Sequence, residues 1–257
     1  MNLLPLQQGI IYGPIHSRRL GRSLGINLMP HDYKLCSFNC VYCHYGPTTV
    51  HEKSVAHYVK DLPDPLSVSN ALEDALTSDE QFDYVTFSGN GEPTMYPHFA
   101  QVVDELVRLR DKHRPHLKIA LLSNSSGLGS EAVRRSLIHI DVPVFKLDAG
   151  SPRTFAAINR PTPGIGFDEI CECLESLSGI YIQTLLVQGT PSNTERHQLE
   201  SYFARIRKIR PRAVHVYSID RPVPNAELIR VQPDELQKIA RWGAMATDVD
   251  FQAFYMA

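Results

Sequence analysis

The chain has 257 residues, 43% of them hydrophobic and 21% charged, with a formal net charge of -2. That balance can bury a sizeable core and excludes global disorder, and it offers no generally basic surface for nucleic acid. No apolar run approaches the roughly 20 residues of a membrane span, and Met1 to Ile11 carries neither a basic leader nor a small-residue cleavage site. The expectation is a cytoplasmic protein without membrane association. Five cysteines, an odd number, argue against a disulfide framework.

Short β-rich runs alternate with amphipathic windows along the chain. Leu24 to Leu28 reads as a first strand, followed by an irregular stretch with Pro30, Pro47, Pro63 and Pro65. Val68, Ala71, Leu72, Ala75 and Leu76 recur at helical spacing. Tyr84 to Phe87 is a strand of β-branched and aromatic residues, and Phe99, Val102, Val103 and Leu106 form the next helical stripe. Leu117 to Leu122 predicts a third strand, Ser130 to Ile138 a short helix, and Val142 to Leu147 a fourth strand. Ile170, Cys173, Leu174 and Leu177 mark a helix, which puts Cys173 in the core. Ile180 to Val187 predicts the fifth strand and Ala213 to Ile219 the sixth; Leu199, Tyr202, Phe203 and Ile206 mark the helix between them. Leu236, Ile239 and Ala240 mark a last helix behind Pro233, and Val249 to Tyr255 a final strand.

Six strand–helix units imply a mainly parallel sheet. Two units short of a closed eightfold barrel, the expected architecture is α/β, a partial (β/α)6 TIM-like barrel, with a flat doubly wound sheet as the rival. The chain is expected to be a single domain over residues 1–257, with a core of about 12–240 and a tail of 241–257. Function in such folds gathers at the C-terminal strand ends.

The segment Cys36-Ser37-Phe38-Asn39-Cys40-Val41-Tyr42-Cys43 has CxxxCxxC spacing in a loop after the first strand. Three thiols this close read as metal ligands. A structural zinc would want a fourth ligand, which His44 or His31 could supply. An iron–sulfur cluster takes one cysteine per iron, so three cysteines around four irons leave one iron open to a small bidentate ligand.

CxxxCxxC with an aromatic, here Tyr42, before the third cysteine resembles the signature of the radical S-adenosylmethionine (SAM) superfamily. The resemblance implies a [4Fe-4S] cluster on Cys36, Cys40 and Cys43 whose open iron binds SAM. It further implies reductive cleavage to a 5'-deoxyadenosyl radical that abstracts hydrogen from a substrate. Oxidoreductase chemistry of this kind implies a reducing partner such as flavodoxin or ferredoxin.

Ser88-Gly89-Asn90-Gly91-Glu92-Pro93-Thr94 is similar to the family's glycine-glycine-glutamate motif, with Asn90-Gly91 replacing the usual Gly-Gly; it implies that Asn90, Gly91 and Glu92 help place SAM. Ser123-Asn124, Lys146-Leu147-Asp148 and Val187-Gln188-Gly189 resemble further strand tips that contact SAM, implying roles for Ser123, Asn124, Lys146, Asp148 and Gln188. The stretch from Tyr12 to Asn27, with Asn159-Arg160-Pro161 and Asp220-Arg221-Pro222, resembles a bacterial and archaeal branch related to the wybutosine-synthesis enzymes.

Arg18, Arg19, Arg160 and Arg221 are then expected to ring the strand mouth, where a guanidinium fork suits a carboxylate or phosphate. A small anionic substrate is favoured, with an RNA base as the alternative; a non-enzymatic iron–sulfur or zinc module is the rival of another class. No residue of this chain is assigned as catalytic. Cys171 and Cys173 are too few for a conventional second cluster.

Overall fold

A computed structural model describes residues 3–256; Met1, Asn2 and Ala257 of the ranges above lie outside the described residues. Contacts gather into two compact units. One comprises Leu6–Ser37 and Thr49–Pro143, the other Phe38–Thr48 and residues 144–256, with residues 3–5.

In the first unit, β1 (Ile11–Ser17) and β2 (Gly21–Ile26) form an antiparallel hairpin. A two-residue pair, β3 (Leu35–Cys36) and β4 (Val50–His51), flanks the cysteine segment. Then come α1 (Pro65–Thr77), β5 (Tyr84–Phe87), α2 (Phe99–His113), β6 (Lys118–Ser123) and α3 (Glu131–Ser136). β2, β5 and β6 pair in parallel. The helix starts follow from capping. Asp64 accepts from the Leu66 and Ser67 amides with Pro65 in the first turn, and Ser130 accepts from Val133. Val68, Leu72 and Leu76 of α1 and Phe99, Val102, Val103 and Leu106 of α2 are buried, as the spacing predicts, and Leu109 joins them.

The second unit contains β7 (Val142–Lys146), α4 (Pro152–Ile158), α5 (Phe167–Glu175), β8 (Tyr181–Leu185), β9 (Val187–Gly189) and α6 (Arg196–Ile209). It closes with β10 (Ala213–Tyr217), β11 (Leu228–Arg230), α7 (Pro233–Thr247) and β12 (Asp250–Phe254). β7, β8, β10 and β12 run in that order, all in parallel, while β9 and β11 form a separate antiparallel ribbon. The predicted strand over Ile180 to Val187 is therefore two strands, split at Leu186, whose amide bonds to Tyr217.

Two expectations are corrected. The buried thiol of α5 is Cys171, at 0% exposure, with Phe167, Ile170 and Leu174; Cys173 is half-buried. Burial pushes the Cys171 thiol up to about 12. Arg18 and Arg19 do not reach the C-terminal strand ends. Ser17 pairs with Gly21 in the hairpin, so both arginines lie in the turn that leads into the N-terminal end of β2. Arg22, next along β2, pairs with Asp83, the residue that precedes β5, which fixes the same end.

Candidate functional site

Parallel pairing of β5 with β6 aligns Phe87 with Leu121, so the loops after the two strands emerge side by side. Glu92 is 1% exposed, and every partner of its carboxylate among the described residues is neutral. Oε1 accepts from the Thr94 amide at 3.1 Å, the Thr94 hydroxyl at 2.6 Å and the Ser123 hydroxyl at 2.8 Å. Oε2 accepts from the Asn124 amide at 2.6 Å. Burial pushes the Glu92 carboxyl above its ordinary value, against the opposing pull of these donors.

Asn124 extends the network to the cysteine segment. Its Nδ2 lies 3.5 Å from Cys36 Sγ and 2.9 Å from Ser37 Oγ. Asn124 therefore touches the Glu92 carboxylate through its backbone and the Cys36 sulfur through its side chain. Gly91 is required by packing: a Cβ there would stand 1.7 Å from the Leu35 carbonyl oxygen, with which Gly91 forms a parallel bridge. The Asn90 side chain is fully buried and turned into the scaffold. Its Nδ2 donates to the Gln7 and Pro30 carbonyls, and its Oδ1 accepts from the Gln7 amide.

In the second unit the hub is Asp148, just beyond β7, with a side chain at 0% exposure. Its Oδ2 accepts from the Tyr42 hydroxyl and from Asn159 Nδ2 at 2.6 Å; Oδ1 accepts from the Leu185 amide at 2.8 Å. Lys146 Nζ lies 3.8 Å from Asp148 Oδ2, donates to the Tyr217 hydroxyl at 3.2 Å and sits 5.1 Å from the centre of the Tyr42 ring. Burial alone would push the Lys146 ammonium down, but Asp148, Tyr217 and Cys40 outweigh it, and the net displacement is upward. Burial, then Asp148, push the Tyr42 phenol well above its ordinary range, so Tyr42 is a neutral donor here.

The segment Asn39 to Cys43 is stapled to the end of α4. The Asn39 amide bonds to the Asn159 and Arg160 carbonyls, and the Val41 amide to Ile158. Tyr42 packs with Val41, Ile158, Leu185, Val187 and Leu228 in one apolar cluster. Asn159 Nδ2 also lies 3.5 Å from Cys40 Sγ. Burial raises the Cys40 thiol, with Lys146 as the main opposing influence.

Arg160 is exposed at a positive φ of 47° and lines a cleft of about 420 Å³ with Cys40, Thr190, Asn225 and Glu227. Arg221 is exposed in the loop after β10, where its charge lowers the pKa of His44 second to burial among the lowering causes. Gln188 turns its side chain to Glu235 at 2.9 Å. Asn159 is the residue at the centre of this site to which no role was given from the sequence; its place in Asn159-Arg160-Pro161 was the only signal.

All five cysteines are free. Among the described residues no three His, Cys, Asp or Glu groups converge as ligands of one ion.

The radical SAM superfamily profile matches residues 32–200. The chain belongs to the radical SAM superfamily. Membership implies an enzyme that cleaves S-adenosylmethionine at an iron–sulfur cluster. The chain is 31% identical over 237 residues to a UPF0026 protein of Helicobacter pylori, covering 89% of this chain and 72% of that protein. It is 28% identical over 237 residues to a protein named GTPase Obg of Brachyspira hyodysenteriae, covering 90% of this chain but only 33% of that longer protein. A solved structure of TYW1 with a lysine-pyruvate adduct bound is similar at a TM-score of 0.58 and 14% identity, covering 88% of this chain and 75% of that one. That likeness shows the fold, α/β of the partial (β/α)6 barrel type. No helix among the described residues is long and apolar enough to cross a membrane.

Proposed function

We propose that this radical SAM enzyme works as one functional domain over residues 1–257 and carries a single [4Fe-4S] cluster on Cys36, Cys40 and Cys43. The observation that carries the reading is the double contact of Asn124, which ties the Glu92 carboxylate to the Cys36 sulfur. The donor set fits the group: three free cysteines, two of them receiving amide hydrogen bonds suited to thiolates. When bound, the cluster and SAM supply a 5'-deoxyadenosyl radical that takes a hydrogen atom from the substrate.

The chain's own residues then bind and orient. Glu92, ringed by neutral donors, receives the SAM ammonium, with Ser123 and the Asn124 backbone aligning the acid. Gly91 and Asn90 shape the turn that holds Glu92, Gly91 by closing on Leu35 and Asn90 by anchoring Gln7 and Pro30. Tyr42, Asp148 and Lys146 hold the second half of the cysteine loop. Only the backbone of Gln188 is offered to SAM, since its amide is engaged by Glu235.

The substrate is small and anionic. Arg160, in the cleft beside Cys40, and Arg221, beside His44, supply the cationic contacts. Arg18 and Arg19 take no part. The enzyme works in the cytoplasm with a flavodoxin- or ferredoxin-type reductant.

Anaerobic reconstitution tests the reading. About four irons and four sulfides per chain are expected, with a paramagnetic signal that changes when SAM is added. Cys40→Ala abolishes it. Stable zinc uptake without iron would sink the proposal.

A further inference from the structure

Two of the three loop cysteines receive a hydrogen bond from an asparagine side chain. Asn124 Nδ2 addresses Cys36 Sγ and Asn159 Nδ2 addresses Cys40 Sγ, each at 3.5 Å. Both donors are buried, at 8% and 1% exposure.

The orientation of each amide is fixed by its other partners. Asn124 Oδ1 accepts from the Ser126 amide at 2.9 Å, which leaves Nδ2 facing the sulfur and Ser37. Asn159 Nδ2 lies 2.6 Å from Asp148 Oδ2; reversed, it would set a carbonyl oxygen against a carboxylate. Its Oδ1 is buried with no partner among the described residues. Cys43 Sγ receives no side-chain donor among the described residues.

We infer that Asn124 and Asn159 are positioning residues that set the reduction potential of the cluster on Cys36, Cys40 and Cys43. The inference rests on the cluster reading above. Reduction adds one electron, delivered by an external one-electron reductant, and so one negative charge shared with the ligand sulfurs. An N–H aimed at a sulfur stabilises the more negative state more than the less negative one. In a buried setting that difference is poorly screened. The two amides therefore make the cluster easier to reduce.

The test is a potentiometric titration of the reconstituted chain, without SAM, against Asn124→Ala, Asn159→Ala and the double variant. Each single variant is expected to lower the equilibrium constant for reduction about tenfold, which for one electron is about 59 mV. The double variant is expected to lower it about a hundredfold. Iron and sulfide content is measured on every sample. Electron–nuclear double resonance of the reduced cluster after exchange into D2O is the second readout, and each variant should lack one exchangeable proton coupling. If Asn159→Ala fails to hold iron, Asn124→Ala decides by both readouts. Iron-replete variants with the wild-type midpoint and couplings overturn this inference alone. A wild-type chain that takes up no iron overturns the cluster reading and this inference with it.

Discussion

Two buried carboxylates stand just past parallel strands, Glu92 after β5 and Asp148 after β7, and their partners differ in kind. Among the described residues Glu92 meets only neutral donors: two hydroxyls and two backbone amides. Asp148 has a lysine at 3.8 Å as well as a phenol, an amide side chain and a backbone amide. A buried carboxylate with its own cation is already compensated and can serve as a fixed joint. One with neutral donors alone is held in place but keeps an uncompensated charge, which suits a cationic ligand group. A buried carboxylate past a parallel strand is thus paired with a cation in one unit and, among the described residues, held by neutral donors alone in the other.

The sharpest way to break this contrast is to remove Asp148. Asp148→Ala leaves Lys146 buried without its counter-charge and strips Tyr42 and Asn159 of their acceptor. The apo chain should lose about 3–5 kcal/mol in urea unfolding. The double variant Asp148→Leu with Lys146→Met, which removes both charges, should recover much of that loss. A cost below about 1 kcal/mol for Asp148→Ala would mean that Asp148 is not the joint described.

Glu92→Gln should cost less in stability and more in ligand binding. The amide keeps the shape and removes a charge that burial penalises, but turns an NH2 toward a donor from which the carboxylate accepted, so the apo chain should lose no more than about 1–3 kcal/mol. SAM affinity should fall about ten- to a hundredfold with iron content intact, the value of a charge-assisted hydrogen bond of about 1.5–3 kcal/mol. Unchanged SAM affinity would reduce Glu92 to a loop residue.

This contrast was only half legible in the sequence. Apolar runs such as Leu117 to Leu122 disclosed the parallel strands, because strands covered on both faces need continuous apolar side chains. The cysteine spacing and Gly91-Glu92 were readable because their chemistry is local. β1 was not, since Gly13-Pro14 reads as a turn; the strand absorbs it as a register shift between Tyr12 and Ile15 at the edge of the β1-β2-β5-β6 strands. The ring of four arginines failed for the same reason, because without the hairpin nothing shows that Arg18 and Arg19 enter β2 from its far end. Lys146 and Asp148 looked alike as ligand groups or as an ion pair. Only the pairing of β7 with β8, and of β8 with β10, brings Leu185 and Tyr217 to them, and only the end of α4 brings Asn159. Asn159 depends on a contact 119 residues away in sequence, to Cys40, which no local pattern encodes.

The smallest expected effect concerns the sign of the pH dependence at Glu92. Its folded carboxyl is displaced upward from the ordinary 4.5. Between that value and the raised one, the folded chain binds a proton that the unfolded chain has released. Stability contributed by this group is therefore full at acid pH and declines as pH rises through the window, remaining low above it. Each pH unit of displacement is worth about 1.4 kcal/mol, and other carboxylates with lowered values, such as Asp64 and Glu73, oppose the trend in the bulk measurement. The useful quantity is thus the difference between wild type and Glu92→Gln, in which those groups cancel. Urea unfolding of both apo chains in steps from pH 4 upward should show the wild type losing ground to the variant as the pH rises, then running parallel to it. Parallel curves across the whole range would mean that the neutral donors fully offset burial, and that Glu92 is as well compensated as Asp148 without any cation.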